Sequence, residues 1–114
     1  LPRRSTSGSA GYDFKAYFAF NLKQGETIKI PTGIKVEIDE GWYLALMPRS
    51  GHGFKYRIQL DNTIGVIDSD YIKSDNEGHM FVKLTNDCKQ SKTLSVGKGE
   101  GYCQGIFRRA LSCL

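Results

Sequence analysis

The 114-residue sequence predicts an all-β fold, on three observations. Apolar and polar residues alternate with period two in several short runs, the pattern of half-buried strands. Thirteen glycines and clusters of turn-forming residues punctuate the chain, roughly every 8–12 residues. No stretch carries a helical apolar repeat of useful length. About nine short strands spaced in this way define a sandwich, a jelly roll or a small barrel. No internal repeat or linker interrupts them, so residues 1–114 read as one domain with one modest core.

Residues 1–11 form an extended polar lead-in. Residues 12–20 are rich in aromatics and read as a strand, and 21–25 as a turn. In 27–30, Ile28 and Ile30 share a face, and Pro31, Thr32 and Gly33 turn the chain. Ile34, Val36 and Ile38 alternate with Lys35, Glu37 and Asp39, predicting another half-buried strand. Residues 42–47 are apolar throughout, as expected of a strand covered on both faces, and Pro48 ends it. Tyr56, Ile58 and Leu60 alternate with Arg57 and Gln59. The stretch 62–71 begins apolar and β-branched, as a buried strand should. A polar loop at 73–78, strands at 80–84 and 93–96, a flexible Gly-rich turn at 97–101 and a last strand at 102–107 complete the chain.

A formal net charge of +4 suits an anionic ligand, either nucleic acid or a small phosphate compound. The three cysteines, Cys88, Cys103 and Cys113, form no Cys-x-x-Cys pair, which argues against a zinc knuckle or redox motif and for reduced thiols in a cytosol. No apolar run approaches the ~20 residues of a membrane-spanning helix, and no secretory signal is visible. The chain opens on Leu1-Pro2 without an initiator Met.

Four stretches carry possible chemistry. Asp13 follows Gly11-Tyr12 at the head of a strand, where a carboxylate either caps a turn or holds a hydrated Mg²⁺. Pro48-Arg49-Ser50-Gly51-His52-Gly53, with Lys55 after it, offers backbone N–H groups, a guanidinium fork and a hydroxyl to an anion. It is not a Walker A loop, and the other reading is a Gly-rich hairpin loop with incidental charge. In 62–71, Asp68 and Asp70 would share a face if the strand persists. Two like charges there imply an adjacent cation or an acid–base role, against the alternative of a solvated turn. Gln104, in the fourth stretch, is a candidate polar ligand. His52 and His79 are the only histidines, and no Ser/His/Asp triad spacing exists.

In this order and spacing the stretches resemble the trimeric deoxyuridine triphosphatases (dUTP nucleotidohydrolases, dUTPases). Ser9-Ala10-Gly11-Tyr12-Asp13-Phe14-Lys15-Ala16 looks like that family's first motif, and Pro48-Arg49-Ser50-Gly51 with Gly53 and Lys55 like the second. Asn62 with Gly65-Val66-Ile67-Asp68-Ser69-Asp70-Tyr71 looks like the third, and Gly99-Glu100 with Cys103-Gln104-Gly105-Ile106-Phe107 like the fourth. The resemblance implies a jelly-roll, β-clip type fold, a homotrimer with active sites between subunits, and Mg²⁺-dependent hydrolysis of dUTP to dUMP and pyrophosphate in the cytoplasm. It implies that Asp68 orients and deprotonates the attacking water. Tyr71 would pack on the deoxyribose, while Asn62 and the backbone at Gly65, Val66 and Ile67 would read the uracil edge. Arg49, Ser50, Gly51 and Gln104 would bind phosphate oxygens, Phe81 joins the substrate-binding set, and Asp13 would hold Mg²⁺ through water. Three departures stand out: Gly101 where the family usually has Arg, His52 where it usually has an apolar residue, and no Gly-rich fifth motif, the arm that closes over substrate. The residue 72–79 loop is also longer than in the shortest members.

The departures motivate an alternative, a nucleotide-binding relative with weak or no turnover that acts as an interaction or regulatory protein. A small barrel binding single-stranded nucleic acid would use the net charge and the aromatics, but without a metal the carboxylates at 68 and 70 sit poorly beside a polyanion. A membrane partner has no support. The dCTP deaminases share the implied fold, yet the 65–71 run fits the phosphatase better.

Overall fold

A computed structural model of the chain describes residues 1–111. The nine strands among the described residues are β1 (Tyr12–Lys15), β2 (Phe20–Leu22), β3 (Thr27–Pro31), β4 (Trp42–Met47), β5 (Ile58–Leu60), β6 (Gly65–Ile67), β7 (Phe81–Asn86), β8 (Leu94–Val96) and β9 (Gly101–Arg109). All pairings are antiparallel. One sheet runs β1-β9-β4-β6, a second β3-β7-β5, and β2 pairs with β8. The core lies between them: Phe14, Leu22, Ile30, Leu44, Leu46, Ile58, Met80, Val82, Leu84 and Tyr102 form one buried cluster. Alternation is clearest in β7, where Val82, Leu84 and Asn86 point inward and Phe81 and Lys83 are exposed. The buried Asn86 is fully engaged, donating to Leu22 O (2.9 Å) and Lys92 O (3.0 Å) while accepting from Cys88 N (3.1 Å).

The structure corrects the sequence reading in five places. Residues 50–56 are not a loop but a one-helix insertion, α1 (Ser50–Tyr56), ended by Arg57 in the left-handed region (φ 47°). Tyr56 therefore belongs to the helix, and only Ile58–Leu60 form the strand. Residues 12–20 break into two strands, because a register shift between Phe14 and Lys15 bends β1 away and β2 takes a different partner, β8. The 34–38 segment keeps its alternating burial, but it is not in a strand ladder among the described residues. Its Ile34 O instead accepts from Met80 N (3.1 Å). In β4, Leu44, Ala45 and Leu46 are buried, whereas Trp42 is 38% exposed under the Arg109 guanidinium.

The fifth correction concerns 62–71. β6 is an edge strand of only three residues, with Val66 56% exposed. Beyond Ile67 the chain turns, Tyr71 N donating to Asp68 O (3.1 Å) and Lys73 N to Asp70 O (3.0 Å) around a single 3-10 turn, Tyr71–Lys73. Asp68 and Asp70 are thus turn residues, and the shared strand face does not form.

Cys88 and Cys103 carry free thiols. Burial pushes the Cys103 thiol well above its ordinary range, with the nearby Asp13 carboxylate adding to the shift, which makes it unreactive. Cys113 and the end at Leu114 lie outside the described residues. No helix among the described residues is long and apolar enough to cross a membrane.

Candidate active site

Strand register brings three of the motif stretches together. Asp13 of β1 lies opposite Gln104 of β9, and Gln104 lies opposite Met47 of β4 on its other side. Pro48 and Arg49 leave β4 at this level, and Arg49 stands at the head of α1 in extended conformation (φ −71°, ψ 145°). The Gln104 amide donates to Pro48 O (3.0 Å), tying β9 to the start of the helix. Its amide oxygen fills the space that a Cβ on Gly11 would need.

The Arg49 guanidinium reaches back across the sheet. Its Nε lies 3.5 Å from Asp13 Oδ1, and a terminal N–H donates to Gly101 O (3.2 Å). Gly101 makes this possible: a Cβ there would stand 3.1–3.2 Å from the Arg49 side chain.

Asp13, Arg49 and Gln104 line an open cleft of about 450 Å³ with Ser50, Gly51, His52 and Lys55. Lys55 is one helical turn beyond Gly51, so α1 presents it to the cleft that Arg49 opens. His52 is held neutral: burial lowers its pKa, Arg49 lowers it further, Glu100 opposes this, and Lys55 adds a smaller lowering effect. The cleft therefore combines two cations, several hydroxyls, an amide and one carboxylate, a set suited to an anion with several oxygens.

Asp13 is the one carboxylate lining the cleft, and the described residues hold no group of three or more His, Cys, Asp or Glu that would cage a metal. A single carboxylate beside a cationic, anion-suited surface fits Mg²⁺, which commonly uses one or two carboxylates and keeps most of its waters.

The residues of the third motif lie elsewhere. β6 pairs with β4 so that Gly65 faces Leu46 and Ile67 faces Leu44. Extending that register by one residue sets Asp68 level with Tyr43, six residues before Arg49, or roughly 20 Å at ~3.3 Å per residue. Asp68 is exposed and does not line the cleft of its own chain. Asn62 is exposed in the turn before β6, its carbonyl accepting from Ile64 N (2.7 Å). Gly65 is buried against Leu46, whose Cβ would be 3.0 Å from an added Cβ. Tyr71 is fixed by its hydroxyl, which donates to His79 O (3.0 Å) and accepts from Asn76 Nδ2 (3.1 Å). Phe81 stands 42% exposed on β7, packed against His79 with ring centroids 4.6 Å apart and planes tilted by 42°, also away from the cleft. So Asp13, Arg49, Ser50, Gly51 and Gln104 converge in one place, while Asn62, Gly65, Val66, Ile67, Asp68, Tyr71 and Phe81 do not join them.

Ser5 and Tyr56 also line the cleft and were not foreseen. Tyr56 would have been found from the i, i+4 spacing to His52 had α1 been recognised. Ser5, in the polar lead-in, carries no such signal.

Fold and site together define an all-β protein with a cationic, phosphate-suited cleft at the junction of β1, β9 and α1. A family model described as dUTPase matches residues 1–113, and the chain belongs to the dUTPase family. It is 41% identical over 108 residues to the deoxyuridine 5′-triphosphate nucleotidohydrolase of Lactococcus lactis, covering 94% of this chain and 71% of that protein. The crystal structure of the dUTPase from Streptococcus mutans superposes with a TM-score of 0.81 at 37% identity, over 99% of this chain and 88% of that one. A mutant dUTPase from phage phi11 of S. aureus, solved with attention to its structural Mg(II) ion, shares the fold alone: TM-score 0.78 and 20% identity, covering 100% of this chain and 86% of that one.

Proposed function

We propose that this protein is a dUTP nucleotidohydrolase, converting dUTP and water to dUMP and pyrophosphate. The observation that carries the reading is the convergence of Asp13, Arg49, Ser50, Gly51 and Gln104 in one cleft of a dUTPase-family chain. Residues 1–114 act as a single catalytic domain, working in the cytoplasm.

Arg49, the Ser50 hydroxyl, the Gly51 backbone and Gln104 take the phosphate oxygens. On substrate binding the guanidinium exchanges its contact with Asp13 for one with phosphate. Asp13 would hold Mg²⁺ through water, and the ion would supply neutralisation of phosphate charge there. Asn62 and the edge of β6 at Gly65, Val66 and Ile67 read uracil, since an unmatched base leaves polar groups unpaired. Tyr71 packs on the deoxyribose, and Phe81 belongs to the substrate-binding set. Asp68 orients the attacking water and accepts its proton as the general base.

The ~20 Å between Asp68 and Arg49 along β4 supports a site shared between copies: one chain supplies the phosphate cleft and another supplies Asp68. The homotrimer provides this. Val66, 56% exposed, and the half-buried Ile106 flank the buried Ala45 on the face turned from Leu44 and Leu46, and these two offer apolar surface for such an assembly.

The test is pyrophosphate release from dUTP with Mg²⁺, run beside dTTP, dCTP and UTP, on native-length protein and its Asp68→Asn variant. The expected result is release selective for dUTP, reduced by about 10²–10⁴-fold in the variant. Saturable dUTP binding without turnover would instead leave a nucleotide-binding regulator.

A further inference from the structure

His52 is the feature of the cleft that the proposed chemistry leaves unused. It lies in the first turns of α1, where the resemblance expects an apolar residue, and its ring lines the cleft with Arg49, Ser50 and Gly51. Its Nδ1 is enclosed and meets no hydrogen-bond partner among the described residues. An apolar side chain would fill this position without that cost, and with Nδ1 enclosed it is Nε2 that is left to meet an anion in the cleft. We propose that His52 is a phosphate-binding residue that becomes cationic only when a polyphosphate occupies the cleft, so that substrate binding takes up a proton.

The charges around it set the direction. On α1 itself, Arg49 and Lys55 flank His52, with Tyr56 one turn on. The turn before β9 contributes Glu100, whose carboxylate is also occupied by Gly97 N (3.0 Å). β1 contributes Asp13, which is paired with Arg49. β8 lines the cleft with Leu94 and Ser95, neither of them charged. With the cleft empty, burial and the two cations keep the imidazole neutral. A triphosphate brings several negative charges to the same wall and reverses the local field, which favours the imidazolium. The free-state pKa is depressed and the bound-state value raised. Binding therefore takes up a proton between the two values, and affinity strengthens as pH falls through the bound-state value, by up to about tenfold per pH unit. The gain is complete below the free-state value and absent above the bound-state one.

This inference rests on the cleft's being the triphosphate site, and the experiment separates the two. Binding of the non-hydrolysable imido analogue of dUTP, with Mg²⁺, is measured by calorimetry in buffers of different ionisation enthalpy, using native-length wild type and His52→Gln. The nucleotide's own phosphate protonation contributes equally to both proteins, so the difference in protons taken up belongs to residue 52. The expected difference is several tenths of a proton to about one near neutral pH. In parallel, imidazole ¹⁵N shifts of the unmutated protein follow His52 and His79 separately, which keeps the proposal testable if the variant folds poorly. His52 should move to its imidazolium position on adding the analogue. Binding with equal proton counts and an unmoved His52 overturns this inference alone. Absence of any binding to the wild type overturns the cleft reading, and this one with it.

Discussion

At the scale of single residues, Gly101 and Arg49 act as one unit. The guanidinium lies flat against a backbone position that has no side chain, and from there reaches both Gly101 O and Asp13. The resemblance expects Arg at 101, and a long side chain there would compete for the space that Arg49 occupies. Gly101→Val should push Arg49 off Asp13 and out of line with the phosphates. Losing one charge-assisted contact of about 1.5–3 kcal/mol raises KM for dUTP about tenfold or more. Steady-state kinetics check this: a KM unchanged within twofold would show that Arg49 keeps its position by other contacts. The identity of Arg49, Ser50 and Gln104 was legible in the sequence because anion chemistry leaves a compositional trace. The Gly101 contact was not, since it depends on the register that places β9 beside β1 and β4.

At the scale of elements, the strands with strict alternation or continuous apolar runs were legible: β3, β4, β7 and β9 stand within a residue or two of their expected positions. α1 was not, and the reason is physical. It is seven residues long, includes Gly51 and Gly53, and buries no residue, so neither propensity nor an apolar stripe announces it. Its position is set from outside, by the Gln104–Pro48 hydrogen bond at one end and by the Arg57–Asp87 ion pair (2.9 Å) at the other. β6 misled in the opposite sense. Its β-branched residues suggested a buried strand, but β6 is an edge strand with Val66 exposed on an outward face, and β-branched residues suit a half-buried edge as well as a covered centre. The junction of β1, β4 and β9 depends on close approach at Gly105, where a Cβ would be 2.9 Å from Leu44 Cδ1, 3.2 Å from Phe14 Cε1 and 3.3 Å from Leu46 Cδ2. All three neighbours are core residues with little room to shift. Gly105→Ala should therefore destabilise the fold by about 1–3 kcal/mol through overpacking. Urea denaturation would show this as a lower midpoint at unchanged slope, and an unaltered midpoint would mean that the sheet relaxes around the methyl.

At the scale of the whole molecule, the decisive question is whether one chain contains one site. The phosphate cleft and Asp68 sit toward opposite ends of β4, and β4 is a rigid central strand with partners on both sides. No side-chain rotation spans roughly 20 Å of strand, so the proposed roles of Asp68 and Arg49 require a site that takes one residue from each of two copies. This predicts complementation between inactive proteins. Arg49→Ala lacks the phosphate contact but keeps its carboxylate, and Asp68→Asn has the reverse defect. Each should be nearly inactive alone. After subunits exchange in an equal mixture, some sites combine the intact cleft of one variant with the intact Asp68 of the other. Random assembly gives about a quarter of the sites this composition, and activity should return to about that fraction of wild type. Light scattering on the same samples reports the oligomer mass, with three chains expected. A mixture that stays inactive despite demonstrated exchange would place Asp68 and Arg49 of each site in one chain, and the shared-site arrangement would then be wrong.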